Sequence, residues 1–186
     1  MLSLPLALET VETTPWSEPY LKAEPDAAAA TGARLSPLAD VSLRVSLVWS
    51  GAPAMKADRR RSMRPDLLAG LLGVPGIAFF SLQKDGIPFP AGLPLIDLMG
   101  EMHDFADTAA LVANLDLVVS VDTAVAHLAA AMGKPVWLLN RSDSCWRWIR
   151  GRLDTPWYPT MRVYQQATAG DWNAVLAEVR RDLAAI

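Results

Sequence analysis

From residue 45 onward, short apolar runs alternate with longer stretches of mixed polarity. Residues 45–49, 77–82, 117–121 and 136–139 are nearly continuous apolar runs, and 95–99 and 162–164 are shorter ones. Runs of this length without polar alternation suit strands buried on both faces. Between them the pattern predicts helices over 64–72, 107–114 and 123–132, and a last one over 172–184. Trp172, Val175, Leu176, Val179 and Leu183 share one face of that last helix. Asp107 and Asp171 are the predicted N-caps, and the Gly73/Pro75 and Gly133/Pro135 pairs are the predicted stops. Strands alternating with helices in this way predict an α/β domain over 41–186, a parallel sheet with helices on both faces.

Residues 1–40 follow a different pattern. They carry Pro5, Pro15, Pro19, Pro25 and Pro37, and only the alanines of 27–30 suggest a helical turn, ended by Gly32. The segment reads as an extended connector or arm. Trp16, Tyr20 and Leu21 are able to pack on another surface; a disordered tail is the alternative.

Composition narrows the function classes. The chain has 186 residues, 52% of them apolar and 20% charged, enough for one folded domain. With 17 basic and 20 acidic residues the net charge is −3, which argues against general nucleic-acid binding. The single cysteine, Cys145, excludes an internal disulfide framework and a cysteine-only zinc site. The two histidines, His103 and His127, leave little for a histidine-rich metal centre. No apolar run reaches the ~18 residues of a membrane span. The first basic residue is Lys22, so the start lacks the basic n-region of a secretory signal. A cytoplasmic location with no metal and no cofactor is the expectation.

The candidate chemistry concentrates at predicted strand ends. Strand 117–121 passes directly through Asp122 into a helix, whose first turn offers free amides and the positive end of its dipole. Anions bind at such places. Thr123 and His127 lie four apart, on one helix face. Asp122 suits sugar hydroxyls or a plain capping role, since as a cap it would repel phosphate. After the first strand come Ser50, Gly51, Ala52 and Pro53, then Lys56, Arg59, Arg60, Arg61, Ser62 and Arg64. Small residues permit close backbone approach and arginines neutralise phosphate, although charge runs are more often solvated faces. In the usual doubly wound order the first and fourth strands are neighbours at the switch point, so these loops face one crevice. Gln83 and Lys84 follow the second strand at the same edge, in reach of a base, ribose or phosphate. Trp146, Arg147, Trp148 and Trp157 suit stacking on a base or sugar, or simply the packing of a long loop. Cys145 has no sequence partner that would make it a nucleophile.

The segment 115–137, with Asp122-Thr123, His127 and Gly133-Lys134-Pro135, resembles the donor-binding segment of the ADP-heptose:lipopolysaccharide heptosyltransferase family. Residues 48–53, Arg61-Ser62, 81–85, 104–109, 146–148 and 157–159 are similar to the glycosyltransferase-like region that follows tetratricopeptide repeats in many bacterial proteins. That resemblance, over about 10–186, implies the Rossmann-like donor half of a GT-B glycosyltransferase. It implies that Asp122, Thr123 and His127 contact donor phosphates and sugar, that Ser50 and Gly51 line the diphosphate, that Arg61 supplies charge, and that Gln83 or Lys84 sits by the nucleoside. Ala124 stands where the family usually carries Gly, and Asn140, Arg141 and Ser142 replace an apolar, proline-containing loop.

The expected function is binding of a nucleotide-sugar donor, with transfer to an acceptor hydroxyl when an acceptor domain is paired with it. The acceptor half and its base are expected to precede the part seen here, and no carboxylate carries over as the general base. A tetratricopeptide-repeat or acceptor-domain partner fits that reading. The last helix is expected to have lost its partner, so self-association is expected too. The alternative is a non-catalytic interaction module that keeps the fold. A dinucleotide oxidoreductase is disfavoured, because Gly51 begins no Gly-x-Gly-x-x-Gly series.

Overall fold

The computed structural model describes residues 9, 18–35, 41–55, 58–84 and 88–186. Its sheet has six strands: β1 (Leu43–Val48), β2 (Ile77–Ser81), β3 (Leu95–Asp97), β4 (Leu117–Val121), β5 (Val136–Asn140) and β6 (Met161–Gln165). All pairings are parallel and the order is β3-β2-β1-β4-β5-β6. This is the Rossmann-like α/β arrangement, consistent with one half of a GT-B fold. β1 and β4 pair directly, Val48 opposite Ser120, so the switch point falls between them as the sequence predicts.

Alternation along the strands sends side chains to two cores. Val45, Leu47, Phe79, Val119 and Val121 join one cluster, while Val48, Phe80, Val118 and Leu138 join the other. The second face is covered by α3 (Phe105–Ala113) and α4 (Ala124–Ala131). The first is covered by α5 (Trp172–Leu183) and by a 3-10 turn over Pro65–Gly70.

Several elements differ from expectation. The helix predicted over 64–72 is the 3-10 turn Pro65–Gly70. Pro65 starts it, Gly70 and Gly73 weaken an α-helix, and buried Leu68, Leu71 and Leu72 pin the segment to the sheet. The cap of α3 is Asp104 rather than Asp107: its carboxylate accepts from the Ala106 and Asp107 amides at 2.7 and 3.0 Å. Asp107 in turn accepts from the His103 amide at 2.9 Å, one residue before the cap, so both acids serve the chain entering α3.

In place of one turn at 27–30, α1 spans Pro25–Leu35 and continues through Gly32. It packs on α3. A Cβ at Gly32 would lie 2.6 Å from Asn114 Oδ1, so the missing side chain admits the α3 C-cap, whose Nδ2 donates to Ala28 O at 2.8 Å. Upstream, the Tyr20 and Leu21 amides both donate to Ala131 O at the end of α4. The segment is thus held by its backbone, while the Tyr20 and Leu21 side chains, expected to pack, stay largely exposed; Trp16 lies outside the described residues.

The apolar face of α5 is not orphaned. Trp172, Val175, Leu176, Val179 and Leu183 are all buried in the chain's own core. Tyr164 Oη donates to Asp182 Oδ2 at 3.0 Å and Arg162 pairs with the same carboxylate at 2.7 Å, tying α5 to β6. The ground for expecting self-association through this helix is therefore removed. Among the described residues no helix is long and apolar enough to cross a membrane.

Candidate functional site

β1 and β4 end side by side, and their following loops line one crevice. β1 runs out through Trp49 into Ser50 and Gly51. Gln83, just past β2, holds that loop. Its Oε1 accepts from the Trp49 and Ser50 amides at 3.0 and 2.9 Å, and its Nε2 donates to Ser50 O at 3.1 Å. The side-chain amide thus imitates one further rung of the sheet. Gly51 N donates to Ser62 Oγ at 3.1 Å, and Ser62 Oγ donates to Asp58 Oδ2 at 2.8 Å. The short α2 (Asp58–Arg61) therefore folds back over the loop.

Arg61 joins the two sides of the crevice. Its Nε donates to Asp58 Oδ1 at 3.0 Å, and its Nη1 donates to the Asp122 carbonyl at 2.7 Å. Its side chain is only 15% exposed. The guanidinium lies directly over Gly51, where a Cβ would come within 2.1 Å of Nη2. The other members of the basic run point elsewhere. Arg60 pairs with Asp143 and Arg64 with Asp66, both arginines well exposed, and Lys56 lies outside the described residues. Of the described arginines in that run, Arg61 alone lines the crevice.

Across from it, Thr123 is the N-cap of α4 but makes no side-chain capping bond. Its hydroxyl lies 3.0 Å from Ser120 Oγ, which donates to Val121 O at 2.7 Å. With the Ser120 proton committed, Thr123 is the donor between the two hydroxyls. The opening turn of α4 is left without a carboxylate cap, and Ala124, placed where a methyl narrows approach, sits at the cavity wall.

His127, one turn further, is built into an aromatic bracket. It stacks on fully buried Trp148 with centroids 5.2 Å apart, and meets Tyr158 edge-on at 5.7 Å. Nδ1 lies 3.0 Å from Tyr158 Oη, and Nε2 lies 3.8 Å from Asp122 Oδ1. Burial, with some help from Arg147, lowers the His127 pKa below its usual 6.5, against a smaller opposing effect of Asp122. The imidazole is therefore neutral near pH 7 and carries one ring proton.

Two cavities meet at this point. One, of about 360 Å³, is walled by Val48, Leu82, Met99, Phe105 and Val125, with Ser50, Gly51, Gln83 and Lys84 at its edge. The other, of about 350 Å³, is walled by Asp122, His127, Arg141, Cys145 and Arg147. They share Met55, Arg61, Thr123 and Ala124. An apolar chamber thus opens into a cationic one across the head of α4. All eight residues singled out from the sequence line this pair of cavities. Asp85 lies outside the described residues.

The tryptophan motif divides. Trp148 is core, and Trp157 donates from Nε1 to Arg147 O at 2.9 Å while Trp146 lies edge-on to it at 5.9 Å. This packs the loop, and Trp146 alone of the three is mostly exposed, with Arg147 beside its ring. Met55, Phe105 and Tyr158 were not anticipated. Phe105, the first residue of α3, is 57% exposed and lines the apolar cavity, and nothing in the sequence pattern marks it for that place. Lys134 of the Gly-Lys-Pro segment lies away from the cavities and donates to Ala113 O at 2.6 Å and Leu115 O at 3.0 Å, closing the end of α3. Among the described residues no three His, Cys, Asp or Glu side chains gather as a metal site.

Comparison with known proteins adds family evidence. The chain is 32% identical to the protein FlbA of Caulobacter vibrioides over 202 aligned positions, which take in 98% of this chain and 32% of that protein. The chain thus spans about a third of the length of that relative. Over residues 89–148, from the wall of the β2 edge through β3, α3, β4, α4 and β5 to Trp148, the chain matches the model of glycosyltransferase family 9 (heptosyltransferase).

Proposed function

We propose that this chain binds a nucleoside diphosphate sugar across the β1/β4 switch point and serves as the donor-holding part of a glycosyltransferase. The observation that carries the reading is the pair of cavities joined at the head of α4. The apolar chamber suits a nucleoside, with Phe105 and Met99 to pack a base and Lys84 at its rim. The diphosphate would lie against the opening amides of α4, between Arg61 and Arg147, where dipole and charge both favour an anion. Asp122 and His127 would face the sugar side. The match over residues 89–148 supports glycosyl transfer as the chemistry.

In that reaction the bond from the anomeric carbon to the diphosphate oxygen breaks as the acceptor oxygen bonds to the same carbon. The electron pair leaves with the diphosphate. Arg61, Arg147, His127 and the helix amides would stabilise the growing negative charge. The acceptor's proton would pass to a base on an acceptor domain.

Calorimetry of the purified chain with ADP, UDP and GDP, in buffer containing a chelator, tests the reading. One of the nucleotides binds, and His127→Ala weakens it by about 1–3 kcal/mol. Absence of binding for all three at millimolar concentration overturns the proposal in favour of an interaction module.

A further inference from the structure

His127 has two ring nitrogens with different surroundings, and which one carries the proton decides what the cavity meets. Nδ1 faces Tyr158 Oη at 3.0 Å, away from the cavity. Nε2 faces Asp122 Oδ1 at 3.8 Å, on the cavity side. Tyr158 has a second neighbour, Tyr20 Oη at 3.4 Å, contributed by the segment that the Ala131 carbonyl anchors.

Two arrangements of protons satisfy this chain. In one, Tyr20 donates to Tyr158, Tyr158 donates to Nδ1, and Nε2–H points into the cavity. In the other every proton runs the opposite way, and Nε2 presents a lone pair. The surroundings separate them. A lone pair at Nε2 would face the Asp122 carboxylate, whereas N–H there is favoured by it. Tyr20 is 55% exposed, so in the first arrangement water can donate to its hydroxyl oxygen at no cost. Burial and the Tyr20 contact both raise the Tyr158 pKa, which keeps the phenol protonated and able to donate. Arg147 is the further charged group near the ring, and its charge opposes a doubly protonated imidazole.

We propose that Tyr158 is a positioning residue that locks His127 in the Nε2–H tautomer, so that the ring presents a hydrogen-bond donor to an anionic ligand in the cationic chamber. The tautomer stands on the geometry of the free protein. Its use toward a nucleotide rests on the proposed function above.

The test uses the full chain labelled with ¹⁵N-histidine at pH 7.5. Only two histidines contribute signals, and His127→Gln identifies which set belongs to His127. The expected spectrum has a pyrrole-like Nε2 and a pyridine-like Nδ1. In Tyr158→Phe that pattern collapses toward a mixture of tautomers, and nucleoside diphosphate affinity falls about 2- to 10-fold. In Tyr20→Phe the pattern persists, because Tyr158 keeps its own proton for Nδ1.

A pyrrole-like Nδ1 in the wild-type chain overturns the proposal. So does a Tyr158→Phe spectrum identical to wild type. If Tyr158→Phe does not fold, the wild-type spectrum still decides, since a pyrrole-like Nδ1 overturns the proposal by itself. A locked Nε2–H tautomer in a chain that binds no nucleotide leaves the positioning role standing and removes the donor-site reading.

Discussion

Gly51→Ala is the most direct probe of the crevice, because the perturbation is a single methyl group with a known obstacle. An alanine Cβ at this position would lie 2.1 Å from Arg61 Nη2, 2.4 Å from Asp58 Oδ1 and 2.5 Å from Arg61 Cζ. Each is far inside van der Waals contact, and none of these atoms is free to swing. Arg61 is held at Nε by Asp58 and at Nη1 by the Asp122 carbonyl, and Asp58 is held by Ser62. The guanidinium must leave. Hydrogen bonds to a charged group are worth about 1.5–3 kcal/mol each. Two are lost, but the crevice is open and the displaced guanidinium regains water. The net destabilisation is then about 2–4 kcal/mol, which keeps a domain of ordinary stability folded. In urea this corresponds to a midpoint lower by about 1–2 M at an unchanged slope.

Two controls isolate the cause. Gly70 has no atom within 4 Å of a built Cβ, so Gly70→Ala stays within about 0.5 kcal/mol of wild type or gains slightly through the unfolded chain. Arg61→Ala removes two of the three obstructing atoms and frees Asp58 Oδ1 from the guanidinium that holds it, so the double variant with Gly51→Ala is less destabilised than the sum of the singles by at least about 1 kcal/mol. If Gly51→Ala unfolds within about 0.5 kcal/mol of wild type, Arg61 does not bridge the two loops as described, and its proposed place beside a diphosphate goes with it.

The remaining predictions are simpler. Lys134→Met keeps the aliphatic stem but deletes the donor to Ala113 O and Leu115 O; chemical denaturation should show a loss of about 1–3 kcal/mol with nucleotide affinity unchanged. His127 has a folded pKa below 6.5. Between that lower value and 6.5 the unfolded chain binds more protons, so its contribution is fully present above 6.5 and is lost as pH falls through the folded pKa. Urea midpoints measured from pH 7.5 down to 5.5 should therefore decline more steeply for wild type than for His127→Gln, and equal slopes would refute it.

Much of the fold was legible in one dimension. The runs at 45–49, 77–82, 117–121 and 136–139 have no polar alternation, and a strand without alternation has to be covered on both faces. From that, the parallel sheet, the neighbouring of β1 and β4 and the crevice between their loops followed by topology alone. Seven of the eight candidate residues reach that crevice because each lies just past a strand end or on the first turn of α4, and strand ends share one edge of a parallel sheet; Arg61, the last residue of α2, is brought there by the fold of the Ser50 loop.

What those residues do to one another was not legible. Gln83 looked available to a ligand, yet its amide holds the Ser50 loop. The residues of the basic run do not by themselves separate Arg61 from Arg60 and Arg64, and the resemblance that does says nothing of its bond to the Asp122 carbonyl, while Arg60 and Arg64 pair outward. Asp107 read as the cap of α3, yet the helix starts earlier, at Phe105, with Asp104 as its cap. The face of α5 looked orphaned because its partners, the Pro65–Gly70 turn and β6, carry no mark in the helix's own pattern. Tyr20, Tyr158 and His127 meet although Tyr20 and Tyr158 stand 138 positions apart. Hydrophobic periodicity reports whether a position is covered, a local property that repeats with the backbone's own geometry. A hydrogen bond between side chains remote in sequence has no period. It depends on where two surfaces come to rest after packing, and that was settled only when the sheet, its helices and the arm closed around the site.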